Sequence, residues 1–248
     1  MEHARVTFLR EENIDAPILI EGLPGIGHVG KLVADHLIHE LGAEKIGEIS
    51  SPHFPPQVIV DERGITHLAS NEIYRYEKDG RAALFLVGDV QSNSAEGHYI
   101  LAEHYLDIAE DLGVGRIYAL GGYGVGHLVE NPKVFSAVNM EHLRSEVEAS
   151  GGSFENVGSG GMIVGASGLL LGLGKARGIE GICLMGETSG YIVDPKSAES
   201  LLTVLSRLTG IEVDHTSLQQ RAGDMEQIIA RIQEAEEARG REELSYIG

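Results

Sequence analysis

The fold follows from one segment near the start of the chain, Pro17-Ile-Leu-Ile-Glu-Gly-Leu-Pro-Gly-Ile-Gly-His-Val-Gly30. Residues 17–21 are a short apolar run that predicts a strand, and a glycine-rich turn follows it. Apolar residues then recur at helical spacing over 29–41, Gly42 is suited to end a helix, and 45–50 predicts a second strand. A strand, a turn, a helix and a strand within about 35 residues are typical of a parallel crossover unit.

The remaining chain continues the alternation of strands and helices, although the sheet leaves the parallel pattern after Ser50. Further strands are predicted at 57–61, 65–70, 72–77, 81–88, 116–120, 134–139 and 181–186, and helices at 94–112, 140–149, 162–177, 197–208 and 217–238. We find no internal repeat and no domain boundary. We therefore expect one α/β domain over 1–238, a three-layer α/β/α sandwich with a mixed, partly parallel central sheet, and a flexible C-terminal tail at 239–248.

Composition and charge exclude several classes of protein. The 248-residue chain has 38 acidic and 19 basic residues, a net charge of −19, so it lacks the Lys and Arg surplus that nucleic-acid binding requires. Cys183 is the single cysteine, which excludes an intrachain disulfide and indicates a reducing compartment. Charged residues occupy the start of the chain, and no apolar run approaches the ~18 residues of a membrane span. We expect a cytoplasmic protein with no nucleic-acid or membrane partner.

The glycine-rich turn matches the dinucleotide-binding pattern G-x-G-x-x-G at Gly25, Gly27 and Gly30. It follows a predicted strand and opens a helix, and Glu48 lies near the end of the next strand, where such sites place an acidic residue. Amides at a helix start can bind an anion. Alternatively, these glycines only permit a tight turn and close helix–sheet packing. Pro24 inside the turn and the missing second nucleotide-binding half favour this alternative, and we predict no cofactor.

A second glycine-rich turn is predicted at a strand end, over 121–126, and includes Gly122, Gly124 and Gly126. The carboxyl ends of strands in open α/β sheets are where ligands usually bind, so a small molecule could occupy this turn. No Lys followed by Ser or Thr is present, so the turn does not match a P-loop. A purely structural set of left-handed glycines explains it equally well.

Metal and nucleophile motifs are weak. The pairs His36/His39 and His98/His104 lie on predicted helices, but no H-x-x-x-H or H-E-x-x-H is present, and we predict no metal. Cys183 lies in an apolar strand and should be inert. Ser167 belongs to a Gly-Ala-Ser-Gly segment that only approaches the G-x-S-x-G pattern of serine hydrolases, and Ser near a helix start is a common cap. We therefore predict no catalytic residue.

The C-terminus carries a sharper signal. After a charged helix, the tail ends in Leu244, Tyr246, Ile247 and Gly248. An apolar end on an acidic, solvated segment has nothing local to pack against unless it docks on a partner, and capture of a terminal carboxylate is an established recognition mode. The alternative is that the same residues fold back onto their own domain.

Four segments resemble the proteasome assembly chaperone family, in its archaeal branch. They are 16–30, the Pro-rich loop 51–57, the strand end Leu-Val-Gly-Asp-Val-Gln-Ser at 86–92 and the turn Leu-Gly-Gly-Tyr-Gly-Val-Gly at 120–126. The resemblance spans about 16–190. It implies an α/β/α sandwich similar to the purine nucleoside phosphorylase fold, a homo-oligomer, and a non-catalytic chaperone or adaptor. Some members bind the 20S proteasome α-ring by inserting C-terminal tails between α subunits.

The resemblance also implies roles for the tail. Activators of the α-ring end in a hydrophobic residue, a Tyr and any residue, and their terminal carboxylate pairs with a Lys of the pocket. Carried over to this chain, Tyr246 is the aromatic anchor and Gly248 supplies the carboxylate. Tyr246 is third rather than second from the end, and Ser245 occupies the hydrophobic position before it. The tail therefore either binds in a shifted register or tethers the protein without activating the ring.

Two other hypotheses remain open. The glycine turns at Gly25–Gly30 and Gly121–Gly126 could belong to a nucleotide- or small-molecule-binding enzyme, because fold does not fix function. The glycine-rich stretches, together with the apolar segment 162–173, could instead form an interface between copies of the chain.

Overall fold

The computed structural model describes residues 5–8, 17–78, 80–155, 161–225 and 227. Within these ranges the strands are β1 (Arg5–Phe8), β2 (Ile18–Glu21), β3 (Glu44–Ser50), β4 (Val58–Val60), β5 (Thr66–Leu68), β6 (Asn71–Lys78), β7 (Arg81–Gly88), β8 (Arg116–Gly124), β9 (Val134–Val138) and β10 (Glu180–Thr188). The α-helices are α1 (Val29–Leu41), α2 (Ala95–Asp111), α3 (Arg144–Ala149), α4 (Ala166–Ala176) and α5 (Pro195–Thr209), and the chain is again helical over 216–225.

Eight of these strands form one mixed sheet in the order β1-β3-β6-β7-β2-β8-β10-β9. Strands β7, β2, β8 and β10 run parallel at its centre, and the strands outside them pair antiparallel. β4 and β5 form a separate antiparallel hairpin. The predicted mixed, partly parallel sheet is confirmed.

Helices cover both faces of the sheet. On one face, α2 and α4 bury Leu101, Leu106 and Leu170 against strand residues such as Leu19 and Leu84. On the other face, α1 and α5 bury their apolar sides against the alternate residues of the same strands. Because successive strand residues point to opposite faces, the almost continuously apolar central strands supply both layers. This arrangement is the predicted three-layer α/β/α sandwich.

Local signals set the ends of α1, α2 and α5. Ser94 caps α2 by accepting a hydrogen bond from the Gly97 amide, and Asp194 caps α5 in the same way. Gly42 and Gly210 follow α1 and α5 with φ of 63° and 66°. Glycine adopts this left-handed conformation without the steric cost that other residues bear, so it ends both helices.

Three predictions about secondary structure are wrong. The stretch 121–124 is not a turn, because β8 continues to Gly124 and pairs with β10 along its whole length. α4 begins at Ala166 and not at 162, since Gly165 has a φ of 85° that a helix does not accept. Residues 141–143 form a 3-10 turn, so the helix predicted at 140–149 is shortened to α3.

The predicted crossover unit is also different in the sheet. β3 runs in the same direction as β2, but β6 and β7 lie between them. The two strands of the unit, β2 and β3, are therefore not neighbours in the sheet, because the β6–β7 hairpin lies between them.

Two predictions concern the C-terminal part of the chain, which the structure describes only in part. The predicted helix 217–238 is observed over 216–225, and its remainder, like the tail 239–248, lies outside the described residues. The division of the chain into a domain at 1–238 and a tail stays a prediction. None of the helices that the structure describes is long and apolar enough to cross a bilayer.

Candidate functional site

A cavity of about 680 Å³ lies at the carboxyl ends of the parallel strands. The last residues of β8, the middle of β10, the loop after β2 and the segment leading into α4 form its wall. Its apolar lining residues include Leu23, Ile26, Leu120, Met162, Ile163 and Met185, and its polar side chains include Gln91, His98 and Ser167. Size, position and mixed lining are those of a small-molecule site in an α/β protein.

Glu21, the last residue of β2, lies behind the cavity wall and is fully buried. Its Oε1 accepts a hydrogen bond from the Leu23 amide at 2.9 Å, and its Oε2 accepts one from the Ser167 hydroxyl at 2.8 Å. Burial raises the pKa of the Glu21 carboxyl to about 7, because desolvation of the charged form outweighs these two hydrogen bonds. This group is therefore both a hydrogen-bonding group and a proton acceptor near neutral pH.

Ser167 connects Glu21 to the cavity. It is the second residue of α4 and lines the cavity, and its hydroxyl donates to a residue 146 positions earlier in the chain. The expectation that it caps the helix is wrong, because Gly165 occupies the cap position and no side chain caps α4. The Ser167 hydroxyl donates its proton to the buried carboxyl of Glu21. Its oxygen can therefore accept a hydrogen bond from a group in the cavity.

Gln91 joins two walls of the cavity. Its Nε2 donates to the carbonyl oxygen of Pro24 at 2.7 Å, and its Oε1 accepts from the Ala166 amide at 3.0 Å. One side chain therefore ties the loop after β2 to the start of α4. This bridge holds the cavity in a preformed shape, which lowers the entropic cost of binding.

The first glycine motif is largely a packing device. Gly25 lines the cavity, whereas Gly27 and Gly30 do not. A Cβ on Gly30 would lie less than 3.0 Å from the backbone of Leu120, so the glycine lets α1 contact β8 directly. Gly27 has a φ of 63°, and its carbonyl accepts a hydrogen bond from the Asp194 amide. These contacts match the structural interpretation of the motif.

The dinucleotide-binding geometry is not formed. In that geometry the acidic residue follows the strand next to the glycine turn. Glu48 instead lies on β3, which β6 and β7 separate from β2, and its carboxylate accepts a hydrogen bond from Lys45 at 2.9 Å. The cavity lining also contains no Lys or Arg among the described residues. Phosphate groups would find no cationic side chain there.

The second glycine segment forms part of the cavity wall. Gly122 and Gly124 line it as the end of β8, while Gly126 lies beyond the strand with a φ of 77°. A Cβ on Gly122 would overlap the carbonyl oxygen of Ile26, whereas one on Gly124 would have ordinary contacts. Whether a ligand contacts these glycines stays a prediction.

The histidine pairs do not form a metal site. His36 is buried and His39 exposed, and His98 lines the cavity without His104. Across the described ranges, no group of three or more His, Cys, Asp or Glu residues could hold a metal ion. Cys183 is fully buried, which raises its pKa and agrees with the prediction that it is inert.

His36 anchors the segment that leads toward the C-terminus. Its Nε2 donates to the carbonyl oxygen of Asp214 at 2.8 Å, and its Nδ1 accepts from the Ser217 hydroxyl at 3.1 Å. Burial lowers the pKa of His36, which keeps the ring neutral and preserves this pair of contacts. The helix over 216–225 is therefore attached to α1. The predicted partner-binding residues Leu244, Tyr246, Ile247 and Gly248 lie outside the described residues.

Comparison with known proteins identifies the family. The family model of the PAC2 family matches residues 19–233, which include the whole cavity wall and the His36 anchor. The chain belongs to the PAC2 family. This match, together with the two Pyrococcus furiosus structures described next, confirms the resemblance to proteasome assembly chaperones.

PAC2 relatives cover nearly the whole chain. The protein MJ1210 of Methanocaldococcus jannaschii is 40% identical over an alignment of 246 positions that covers 96% of this chain and 94% of that protein. The crystal structure of Pyrococcus furiosus PbaB, an archaeal proteasome activator, matches with a TM-score of 0.89 and 38% identity over 94% of this chain and 100% of that one. P. furiosus PbaA, an archaeal homolog of proteasome-assembly chaperone, matches with a TM-score of 0.76 and 27% identity over 97% of both chains.

The sequence pointed to the glycines but missed the polar residues of this PAC2 cavity. From the sequence, Glu21 is only the end of a strand, and Ser167 is a helix cap in a segment that approaches the G-x-S-x-G pattern without matching it. A signal was present, because Glu21 closes an otherwise apolar, buried strand at the edge where ligands bind. Nothing in local spacing indicated that Ser167 would meet it.

Proposed function

We propose that this protein is a non-catalytic partner of the 20S proteasome, an assembly chaperone or activator-type adaptor that binds the α-ring through its C-terminal tail. The observation that carries the proposal is the match to PbaB, an archaeal proteasome activator, with 38% identity and a TM-score of 0.89 across the full length of that chain. Identity and coverage of this extent support a shared partner as well as a shared fold.

The end of the sequence supplies the chemistry for docking. Leu244, Tyr246 and Ile247 offer apolar and aromatic contacts, and Gly248 offers the terminal carboxylate. An aromatic anchor gains contact area at a low cost in conformational entropy, and a carboxylate pairs with a basic side chain of the pocket. The His36 anchor supports the proposal by holding the helix over 216–225 against α1, from which the chain continues toward the tail.

The acidic charge of the chain and the presence of several tails in one oligomer would strengthen binding to the ring even if each tail binds weakly. The net charge of −19 favours approach to a basic rim and raises the association rate more than the affinity. In a homo-oligomer, which is part of this proposal, several tails could bind one ring, and each further tail binds at a high effective concentration. A cytoplasmic location follows from the same partner.

The experiment removes the tail and leaves the described domain intact. Full-length protein and a variant that lacks 244–248 are immobilised, and binding of purified 20S particles is measured by surface plasmon resonance. We expect the truncated protein to keep its circular dichroism spectrum and to lose binding. Tyr246→Ala should weaken binding strongly, whereas Tyr191→Ala, at a tyrosine that is 80% exposed elsewhere, should not. Unchanged binding by the truncated protein would reject the proposal.

Competition by peptides tests the role of the carboxylate. A synthetic peptide of residues 239–248 should compete with the full chain for the ring. The same peptide with an amidated C-terminus should compete much less, because it lacks the charge that pairs with the pocket. Equal competition by both peptides would show that the terminal carboxylate of Gly248 is not recognised.

A further inference from the structure

We propose that the cavity beside β2 is a binding site for a primary amine with an apolar body, which donates a hydrogen bond to Ser167 and is held by the charge of Glu21 behind it. This site is separate from the tail and does not depend on the proposed function. Three properties of the cavity define its ligand: the buried carboxyl of Glu21, the hydroxyl of Ser167 that connects this carboxyl to the cavity, and a largely apolar wall whose described residues include no Lys or Arg.

The buried acid lacks a counter-ion. Glu21 is fully buried, and its contacts in the described part of the chain are the neutral amide of Leu23 and the hydroxyl of Ser167. Two neutral hydrogen bonds do not replace the hydration of a carboxylate, so without a cation the buried carboxyl keeps its proton to a higher pH, as Glu21 does. An ammonium group in the cavity would supply the missing positive charge.

Ser167 is placed to transmit the interaction. Its hydroxyl proton points to Glu21 at an oxygen–oxygen distance of 2.8 Å, so the oxygen can accept a second hydrogen bond from the cavity. Hydrogen bonds in such a chain polarise one another, and the effect is larger when both ends carry charge. An N–H donor at Ser167 therefore benefits from the carboxylate behind it.

The rest of the lining selects an apolar body and disfavours an anion. Leu23, Ile26, Ile163 and Met185 provide apolar surface, and the described lining contains no Lys or Arg. A ligand carboxylate or phosphate would face Glu21 without a Lys or Arg in the described lining to compensate its charge. A neutral ligand of the same shape would gain the apolar contacts but not the charge interaction.

The experiment compares three probes that share a phenyl group and a short chain. Phenethylamine, 2-phenylethanol and 3-phenylpropanoate are titrated into the full chain, which is labelled with ¹³C at the methionine methyl groups. Met162 and Met185 line the cavity, whereas Met140 does not and serves as an internal control. We expect saturable shifts at Met162 and Met185 with the amine, weaker binding of the alcohol and none of the acid. Absence of amine binding, or equal affinity for all three probes, would overturn the proposal.

Two variants test the relay. Glu21→Gln should weaken phenethylamine binding roughly tenfold, because it removes the negative charge that strengthens the hydrogen bond to Ser167, and should leave 2-phenylethanol nearly unchanged. Ser167→Ala should weaken phenethylamine binding by a similar factor. This second variant tests the proposal on its own if Glu21→Gln does not fold. Glu148→Gln, at an exposed residue of α3 outside the cavity, is the matched control. Amine affinity that survives both cavity substitutions would exclude the relay.

Discussion

The backbone of α1 at Gly30 packs directly against the backbone of β8 at Leu120. A Cβ on Gly30 would lie less than 3.0 Å from the Leu120 carbonyl oxygen, so no other residue fits without moving the helix. The same motif includes Gly25, where an added Cβ would lie at an ordinary contact distance of 4.0 Å from the Leu23 carbonyl oxygen. The motif thus combines one glycine that packing requires with one that packing does not.

We predict that Gly30→Ala lowers the free energy of unfolding by about 2–3 kcal/mol, because overpacking forces the helix and strand apart. Gly25→Ala should change it by less than about 0.5 kcal/mol, as expected for a surface substitution without steric conflict. Urea denaturation followed by circular dichroism measures both. Equal effects of the two substitutions would contradict a packing role for Gly30.

The titration of Glu21 should make stability fall as the pH rises. Its pKa is about 7 in the folded protein against 4.5 ordinarily, so between these values the folded state holds a proton that the unfolded state has lost. Raising the pH from 4.5 to above 7 therefore costs about 3 kcal/mol.

Glu21→Gln should remove this contribution. The difference in the free energy of unfolding between the variant and the wild type should shift in favour of the variant as the pH increases over that range. Comparison of the two proteins also cancels the titration of other groups, including His36. A difference that does not depend on pH would contradict the raised pKa.

His36 should control the attachment of the helix over 216–225 in the opposite direction. Its pKa is lowered, so its contribution to stability is present above the ordinary value of 6.5 and is lost as the pH falls through the folded value. Protonation prevents Nδ1 from accepting the Ser217 hydrogen bond. Hydrogen-exchange protection factors of amides 216–222 should therefore drop on acidification.

His36→Ala should abolish that drop by lowering protection at every pH. His39→Ala is the matched control, because His39 lies one turn away with a side chain that is 85% exposed. A profile of protection against pH that is the same in wild type and His36→Ala would show that another group controls the segment.

A buried polar pair links β6 to α2. Asn71 Oδ1 accepts a hydrogen bond from Tyr105 at 2.6 Å, and its Nδ2 donates to the Val90 carbonyl at 2.9 Å. Tyr105→Phe removes one hydrogen bond and should cost about 1 kcal/mol. Asn71→Leu leaves both partners unsatisfied and should cost about 3 kcal/mol. Thermal and urea denaturation of the two variants would test this, and equal losses would contradict the role of Asn71 as the central partner.

The local pattern of apolar residues, caps and glycines was sufficient to predict the main strands and helices. The strand at 17–21, the helix over 29–41 and the long helix after Ser94 were predicted within a few residues, because caps and left-handed glycines act on neighbouring residues. The pattern failed over 121–124, where pairing with β10 extends a strand through glycines that are otherwise typical of a turn. It also failed at the start of α4, where exposed Met162 and Val164 imitate the apolar face of a helix.

The sequence by itself determined the alternation of strands and helices, the acidic charge, and the family through segments such as 16–30, because these depend on local order and composition. The tertiary structure alone decided that β6 and β7 separate β3 from β2 and that Ser167 contacts Glu21 across 146 positions of the chain. Such contacts depend on how distant segments pack, and no periodicity encodes them. For that reason the sequence alone indicated the glycine-rich segments, whereas the role of Glu21 behind the cavity required the tertiary structure.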